Sequence, residues 1–175
     1  MKIRWHGLLV KMILLSCLSI SPASAFNGLN IIEPAVEAPH ITFTSGNGEI
    51  IDLSHFKGQV VVLNIWATWC PSCVKELPSF ERLAIRMDGI DISVLAISQD
   101  AGGIDVVAPF LDKLGIEELE RYTEPQGIIQ KEFSTRGLPT TFILSKKGEV
   151  IGFYEGALEW DSPDIVDYLH QLLIK

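Results

Sequence analysis

Residues 60–66, Val-Val-Val-Leu-Asn-Ile-Trp, are apolar at every position but one and rich in β-branched side chains. A run like this has no face to offer to water, so as a strand it must be covered on both sides. It predicts the centre of a sheet flanked by other layers. Ala67-Thr68-Trp69-Cys70-Pro71-Ser72-Cys73 follows without a break, and beyond it Val74, Leu77, Phe80, Leu83, Ala84 and Met87 recur at three- and four-residue intervals. That spacing predicts an amphipathic helix from Pro71 to about Met87, with Pro78 expected to kink it. Two cysteines three positions apart therefore stand where a buried strand turns into a helix.

The rest of the chain repeats this alternation. Residues 26–37 mix Asn, Gly and Pro with a few apolar side chains and read as a linker or a docked N-terminal arm, leaving residues 38–175 as one domain. Two short runs around Ser45-Gly46-Asn47-Gly48 predict a β-hairpin. A second buried strand is expected at 92–98, then a helix at 106–114 that stops near Gly115. Residues 116–124 are acidic and ambiguous, and 125–133 reads as a short helix. Strands at 140–144 and 150–154 flank the Lys146-Lys147-Gly148 turn, and a last helix starts near Pro163 and ends at Leu173. The expected fold class is α/β, a central mixed sheet flanked by helices.

The first 25 residues have a different character. Lys2, Arg4 and Lys11 give a basic start, Met12 to Ile20 is a short apolar stretch, and Ala23-Ser24-Ala25 offers small residues for cleavage. This is the pattern of a secretory signal peptide, the alternatives being an uncleaved membrane anchor and a lipoprotein processed at Cys17. Export implies an oxidising compartment, the periplasm, and cleavage removes Cys17, leaving Cys70 and Cys73 as the only sulfur pair. It also takes the formal net charge from −8 to −11 by removing three basic residues. An acidic protein of this kind is not expected to bind nucleic acid, which needs positive patches to meet phosphate.

The cysteine pair admits three readings. A zinc site usually needs four ligands, and His40, His55 and His170 are not paired at ligand spacing, so no metal is expected. A purely structural disulfide would close a loop too small to restrain the unfolded chain much. Redox exchange is the favoured reading. With Pro71 as first helical residue, Cys70 falls at the N-cap, where free N–H groups and the helix dipole stabilise a thiolate. Cys70 is then the nucleophile, and Cys73, one turn on, the resolving thiol.

The stretch VVVLNIWATWCPSCVKELPSF, together with GLPTTFIL further on, resembles the thioredoxin-fold thiol-disulfide oxidoreductases of the TlpA/ResA type, and the resemblance runs from about Ala38 to the C-terminus. It implies a thioredoxin fold with an N-terminal hairpin and a helix-containing insertion before a cis-proline strand. By the same resemblance Leu138-Pro139 is a cis bond lying against the disulfide, and Leu138, Pro139 and Thr140 receive an extended substrate segment, with Trp69 beside them. Asn64, six before Cys70, stands where ordinary thioredoxins carry a buried acid; with Trp66 and Pro71 it is read as support for the site. Glu76, three after Cys73, is the candidate third catalytic residue, tuning Cys73 or carrying its proton. From pattern alone it would be a solvated helix residue. Phe142 and the segment 156–160 are further candidates for the substrate surface, whereas Thr68, Ser72 and residues 117–120 read as local or solvated.

The expected function is that of an exported oxidoreductase working mainly as a reductant, with no cofactor beyond its own redox-active disulfide. The resemblance implies cysteine-containing substrate proteins of respiratory-complex assembly, for copper centres or cytochrome c. It also implies a membrane thiol electron donor as the recycling partner. Two rivals stand beside this: a copper-binding metallochaperone and a general disulfide oxidase or isomerase. A peroxidase is disfavoured, because Ala67 stands three before Cys70 where that family has threonine.

Overall fold

The structure, a computed structural model, describes residues 26–174; the leader expected at residues 1–25, with Cys17, lies outside the described residues. Among the described residues, in chain order, are β1 (Asn30–Glu37), β2 (Thr42–Thr44), β3 (Ile50–Asp52), β4 (Val60–Trp66), α1 (Pro71–Met87), β5 (Ile92–Ser98), α2 (Ile104–Leu114), β6 (Tyr122–Thr123), α3 (Ile128–Glu132), β7 (Thr140–Leu144), β8 (Glu149–Glu155) and α4 (Pro163–Leu173). The strands form one mixed sheet in the order β1-β8-β7-β4-β5-β6-β2-β3. β4 lies inside it, parallel to β5 and antiparallel to β7, and all seven of its residues are buried.

The period of two along β4 divides the core. Val60, Val62 and Trp66 pack with Leu77, Phe80 and Leu83 of α1, Val107 and Leu111 of α2, and the apolar stripe of α4. Val61, Leu63 and Ile65 face the other way, onto Phe43, Leu53, Tyr122 and Ile129. Asn64 falls in the first register, so the one polar residue of the strand is turned toward α1. Pro78 is exposed and lies inside α1, which continues unbroken to Met87.

Of the two readings of residues 26–37, linker or docked N-terminal arm, the structure has the docked arm: β1 pairs antiparallel with β8, and Phe26 is buried edge-on against Trp160 and Tyr168. The folded unit therefore begins before Ala38. The ambiguous acidic stretch contains β6, only two residues long, which bridges β5 and β2. A strand that short leaves no periodicity in the sequence.

The topology brings three loops to one edge of the sheet. The parallel strands β4 and β5 end there together, so residues 67–70 and 99–103 emerge side by side. β7 begins at the same edge. Its Thr140 lies opposite Ile65 of β4, which places Pro139 level with Trp66.

Candidate active site

Cys70 is the N-cap of α1 and Pro71 its first residue, where a missing N–H costs nothing. The cysteines are joined as a disulfide with their Cα atoms 5.3 Å apart. The Cys73 N–H donates to Cys70 Sγ at 3.2 Å, and Ser72 Oγ lies 3.4 Å from the same sulfur. Both groups would remain beside a thiolate at Cys70, as the first turn of a helix favours. Cys70 is 6% exposed and Cys73 0%, so an incoming molecule reaches Cys70 first. Trp69, 67% exposed, projects next to it.

Pro139 is buried, Leu138 is half-buried, and the bond between them is cis. Their loop is braced: Gly156 N–H donates to the Pro139 carbonyl at 2.9 Å, and Arg136 pairs with Glu155. The Thr140 side chain, expected at the substrate surface, is buried, and its hydroxyl donates to the Gly137 carbonyl at 2.8 Å, so the side chain holds the loop. Phe142 is likewise a core residue, packed between Phe133 and Phe153.

Behind the pair, Glu76 is 1% exposed and not solvated. Its Oε1 accepts from Asn64 Nδ2 at 2.8 Å, and its Oε2 accepts from Leu158 N–H at 3.2 Å and Trp160 Nε1–H at 3.0 Å. Burial pushes its pKa up to about 7, while the hydrogen bonds from Trp160, Leu158 and Asn64 pull the other way and only partly offset it. Asn64 Nδ2 also donates to Thr141 Oγ1 at 2.9 Å, whereas its Oδ1 is buried with no partner. Turned over, the same amide would present Oδ1 to a protonated Glu76 and to the Thr141 hydroxyl. Asn64 can thus serve either protonation state of the acid, which a carboxylate at this position could not do without adding charge.

The segment 156–160 is a strap over α1, with Trp160 buried and Glu159 exposed. Trp160 is buried between Phe80 and Phe26, with its ring centroid 5.2 Å from that of Phe80. Ser79 Oγ accepts from Trp160 N–H at 3.0 Å, its hydroxyl donating to the Glu76 carbonyl at 2.7 Å with the Leu158 carbonyl 3.3 Å away, and Arg82 holds Asp161 and Glu159. Helix positions 76, 79 and 82 thus fasten the strap in register. Sequence reading also missed Thr68, whose N–H and hydroxyl both donate to Asp100, at 2.8 and 2.6 Å. The partners lie 32 residues apart, beyond any local pattern.

Among the described residues no group of three or more His, Cys, Asp or Glu side chains is placed to hold a metal ion, and no helix is long and apolar enough to cross a membrane. A cleft of about 400 Å³ opens at the opposite end of β4, lined by Val61, Phe56, Lys57, His40 and Asp52, remote from the cysteines. Around Cys70 the exposed Trp69, Pro71 and Ser72 form an open ridge with room for a large molecule.

The AhpC/TSA family model matches residues 34–152. The thiol-disulfide oxidoreductase ResA of Bacillus thuringiensis subsp. konkukian is 30% identical over 141 residues, covering 81% of this chain and 79% of its own length. Among solved structures, a putative thiol:disulfide interchange protein DsbE from Chlorobium tepidum aligns with a TM-score of 0.71 over 79% of this chain and 96% of its own; at 24% identity this is a likeness of fold. StoA from Bacillus subtilis aligns with a TM-score of 0.63 at 25% identity, over 78% of this chain and 99% of its own. The mixed sheet and its flanking helices are those of the thioredoxin-like fold these proteins share.

Proposed function

Because the chain belongs to the AhpC/TSA family and is a thiol-disulfide oxidoreductase of the ResA kind, we propose that it is an exported reductant of protein disulfides, with Cys70 as attacking thiol and Cys73 as resolving thiol. The observation that carries this reading is the asymmetry of the pair: a reachable sulfur at the helix N-cap, a sealed one behind it, and a buried acid behind both. The Cys70 thiolate attacks a target disulfide, forming a mixed disulfide and expelling the second target sulfur, which takes up a proton. Cys73 gives up its proton and attacks Cys70 Sγ. The mixed disulfide breaks, the target leaves as a dithiol, and the enzyme keeps the Cys70–Cys73 disulfide. Two electrons pass to the target, and a membrane thiol donor must return them. Glu76, near neutrality, is matched to hold the proton that Cys73 releases.

The substrates we favour are assembly factors or subunits of respiratory complexes whose metal- or haem-ligating cysteines must be kept reduced. The work would take place in the periplasm, by a form either free or held at its N-terminus. A Cys73→Ala variant is expected to accumulate mixed disulfides through Cys70 with such proteins. Absence of any dithiothreitol-sensitive adduct from an extract of exported proteins would count against the reading, and the trapped partner names the substrate.

Glu76 also has a signature in stability. Its folded pKa, raised from 4.5 to about 7, means that the folded state binds its proton more tightly than the unfolded chain does. The stabilisation is full below about pH 4.5 and is lost as pH rises through about 7, a change of about 3 kcal/mol. Glu76→Gln should flatten that decline in denaturant titrations of the oxidised protein, the turned-over Asn64 amide accepting from the new amide. It should also shift the pH profile of thiol alkylation in the reduced protein. An unchanged profile would remove Glu76 from the mechanism.

A further inference from the structure

Asp100 is 4% exposed and sits just beyond the end of β5, in the loop that emerges beside the cysteines. Its carboxylate accepts only from neutral donors: Thr68 N–H and Ser98 Oγ–H on Oδ2, at 2.8 and 2.7 Å, and Thr68 Oγ–H on Oδ1, at 2.6 Å. Among the described residues it has no ion pair. Asp100 N–H returns a bond to Ser98 Oγ at 3.0 Å, so the side chain is fixed from both sides. The residue it grips stands two before Cys70, in a turn closed by Cys70 N–H on the Ala67 carbonyl at 3.2 Å.

A buried carboxylate with no cation beside it is a negative charge that the protein leaves unneutralised. At this edge of the sheet it opposes the effect of the α1 N-terminus, which favours negative charge on Cys70. Destabilising the Cys70 thiolate leaves the disulfide unaffected, so the balance moves toward the disulfide and the couple becomes a stronger electron donor.

We propose that Asp100 is a positioning residue for the exchange reaction, clamping the loop that carries Trp69 and Cys70 and, through its uncompensated charge, holding the couple at a more reducing potential. This rests on the reading of Cys70 as the attacking thiol of a reductant. Glu124, after β6, whose own N–H binds the Ser98 carbonyl at 2.8 Å, is acidic as well, and its carboxylate is engaged by the N–H groups of Gln126 and Ile129. It supplies no cation.

The experiment is an equilibrium titration of the full chain against glutathione, with thiols trapped by alkylation, for wild type and Asp100→Asn across a pH series. The amide can keep the three hydrogen bonds while removing the charge. Above the Cys70 titration Asp100→Asn should favour the dithiol by roughly threefold to tenfold, about 15–30 mV for a two-electron couple. Below it, where Cys70 is a neutral thiol in both proteins, the two curves should converge. An equal shift at every pH, or none at alkaline pH, overturns the charge argument. Thr68→Val and Thr68→Ser test the clamp independently, even should Asp100→Asn fail to fold. Loss of the hydroxyl should slow attack on a protein disulfide, and serine should restore it. Equal rates in valine and serine variants overturn the clamp. The wild-type potential alone tests the reductant reading; the difference between variants tests Asp100.

Discussion

Cys70→Ser should abolish disulfide exchange, lowering the rate at least about a thousandfold, while leaving the fold intact. The hydroxyl is smaller than the thiol and can still cap α1 by accepting the Cys73 N–H, a role in which serine is among the preferred residues. Stability should therefore change little beyond the loss of the disulfide, which closes only a short loop. Chemistry is another matter, because a serine hydroxyl at this helix end has neither the acidity nor the nucleophilicity to attack a disulfide. Cys73 cannot substitute for it, since it is sealed beneath Cys70 and reaches only a sulfur already bound there. The assay is reduction of a protein disulfide followed by thiol alkylation, with unfolding curves as the control. Residual exchange within tenfold of wild type would show that Cys73 can act first and would reverse the assigned roles.

Trp160→Ala is expected to cost about 3–5 kcal/mol, the range for removing a fully buried large aromatic side chain. The ring is packed by Phe80, Phe26 and Tyr154, with centroids 5.2, 5.9 and 6.2 Å away. Its removal also takes the indole N–H from Glu76, and the loss of that bond by itself raises the Glu76 pKa, since the bond from Trp160 now lowers it. Trp160→Phe separates the two effects. It keeps most of the packing and loses only the donor, so its cost should be nearer 1–3 kcal/mol. It should still displace the thiol pH profile in the same direction. Urea denaturation and alkylation rates measure both quantities. A phenylalanine variant with a wild-type pH profile would confine Trp160 to packing.

What the sequence disclosed and what it concealed divide along chain separation. The strand at 60–66, the cap at Cys70, the helix to Met87 and the αL stop at Gly115 follow from patterns a few residues long, and the structure places them as read. Glu76 was visible as a spacing from Cys73, yet its environment was not. Its partners lie at Asn64, Leu158 and Trp160, the last 84 residues away. The same holds for Asp100 and Thr68, both ordinary loop residues until β4 and β5 are laid side by side. The side chains that turn away from the surface share a cause as well. Thr140 and Phe142 follow Pro139 closely and residues 156–160 follow β8, but the pleat of β7 and the grip of α1 turn the side chains of Thr140, Phe142 and Trp160 inward.

The pairing of β1 with β8 has a consequence for how copies of this protein meet one another. Without it, β8 would present seven residues of open backbone, including Val150, Ile151 and Phe153, as a template for a strand from another molecule. β1 replaces that edge with one carrying Glu33, Pro34 and Glu37, broken by a register shift between Ile31 and Val36. A proline with no N–H to donate and carboxylates that repel their own kind make a poor seam for intermolecular growth. The segment that reads least like structure in the sequence thus covers the edge of β8, and among the described residues the sheet ends on a strand poorly suited to pair with another.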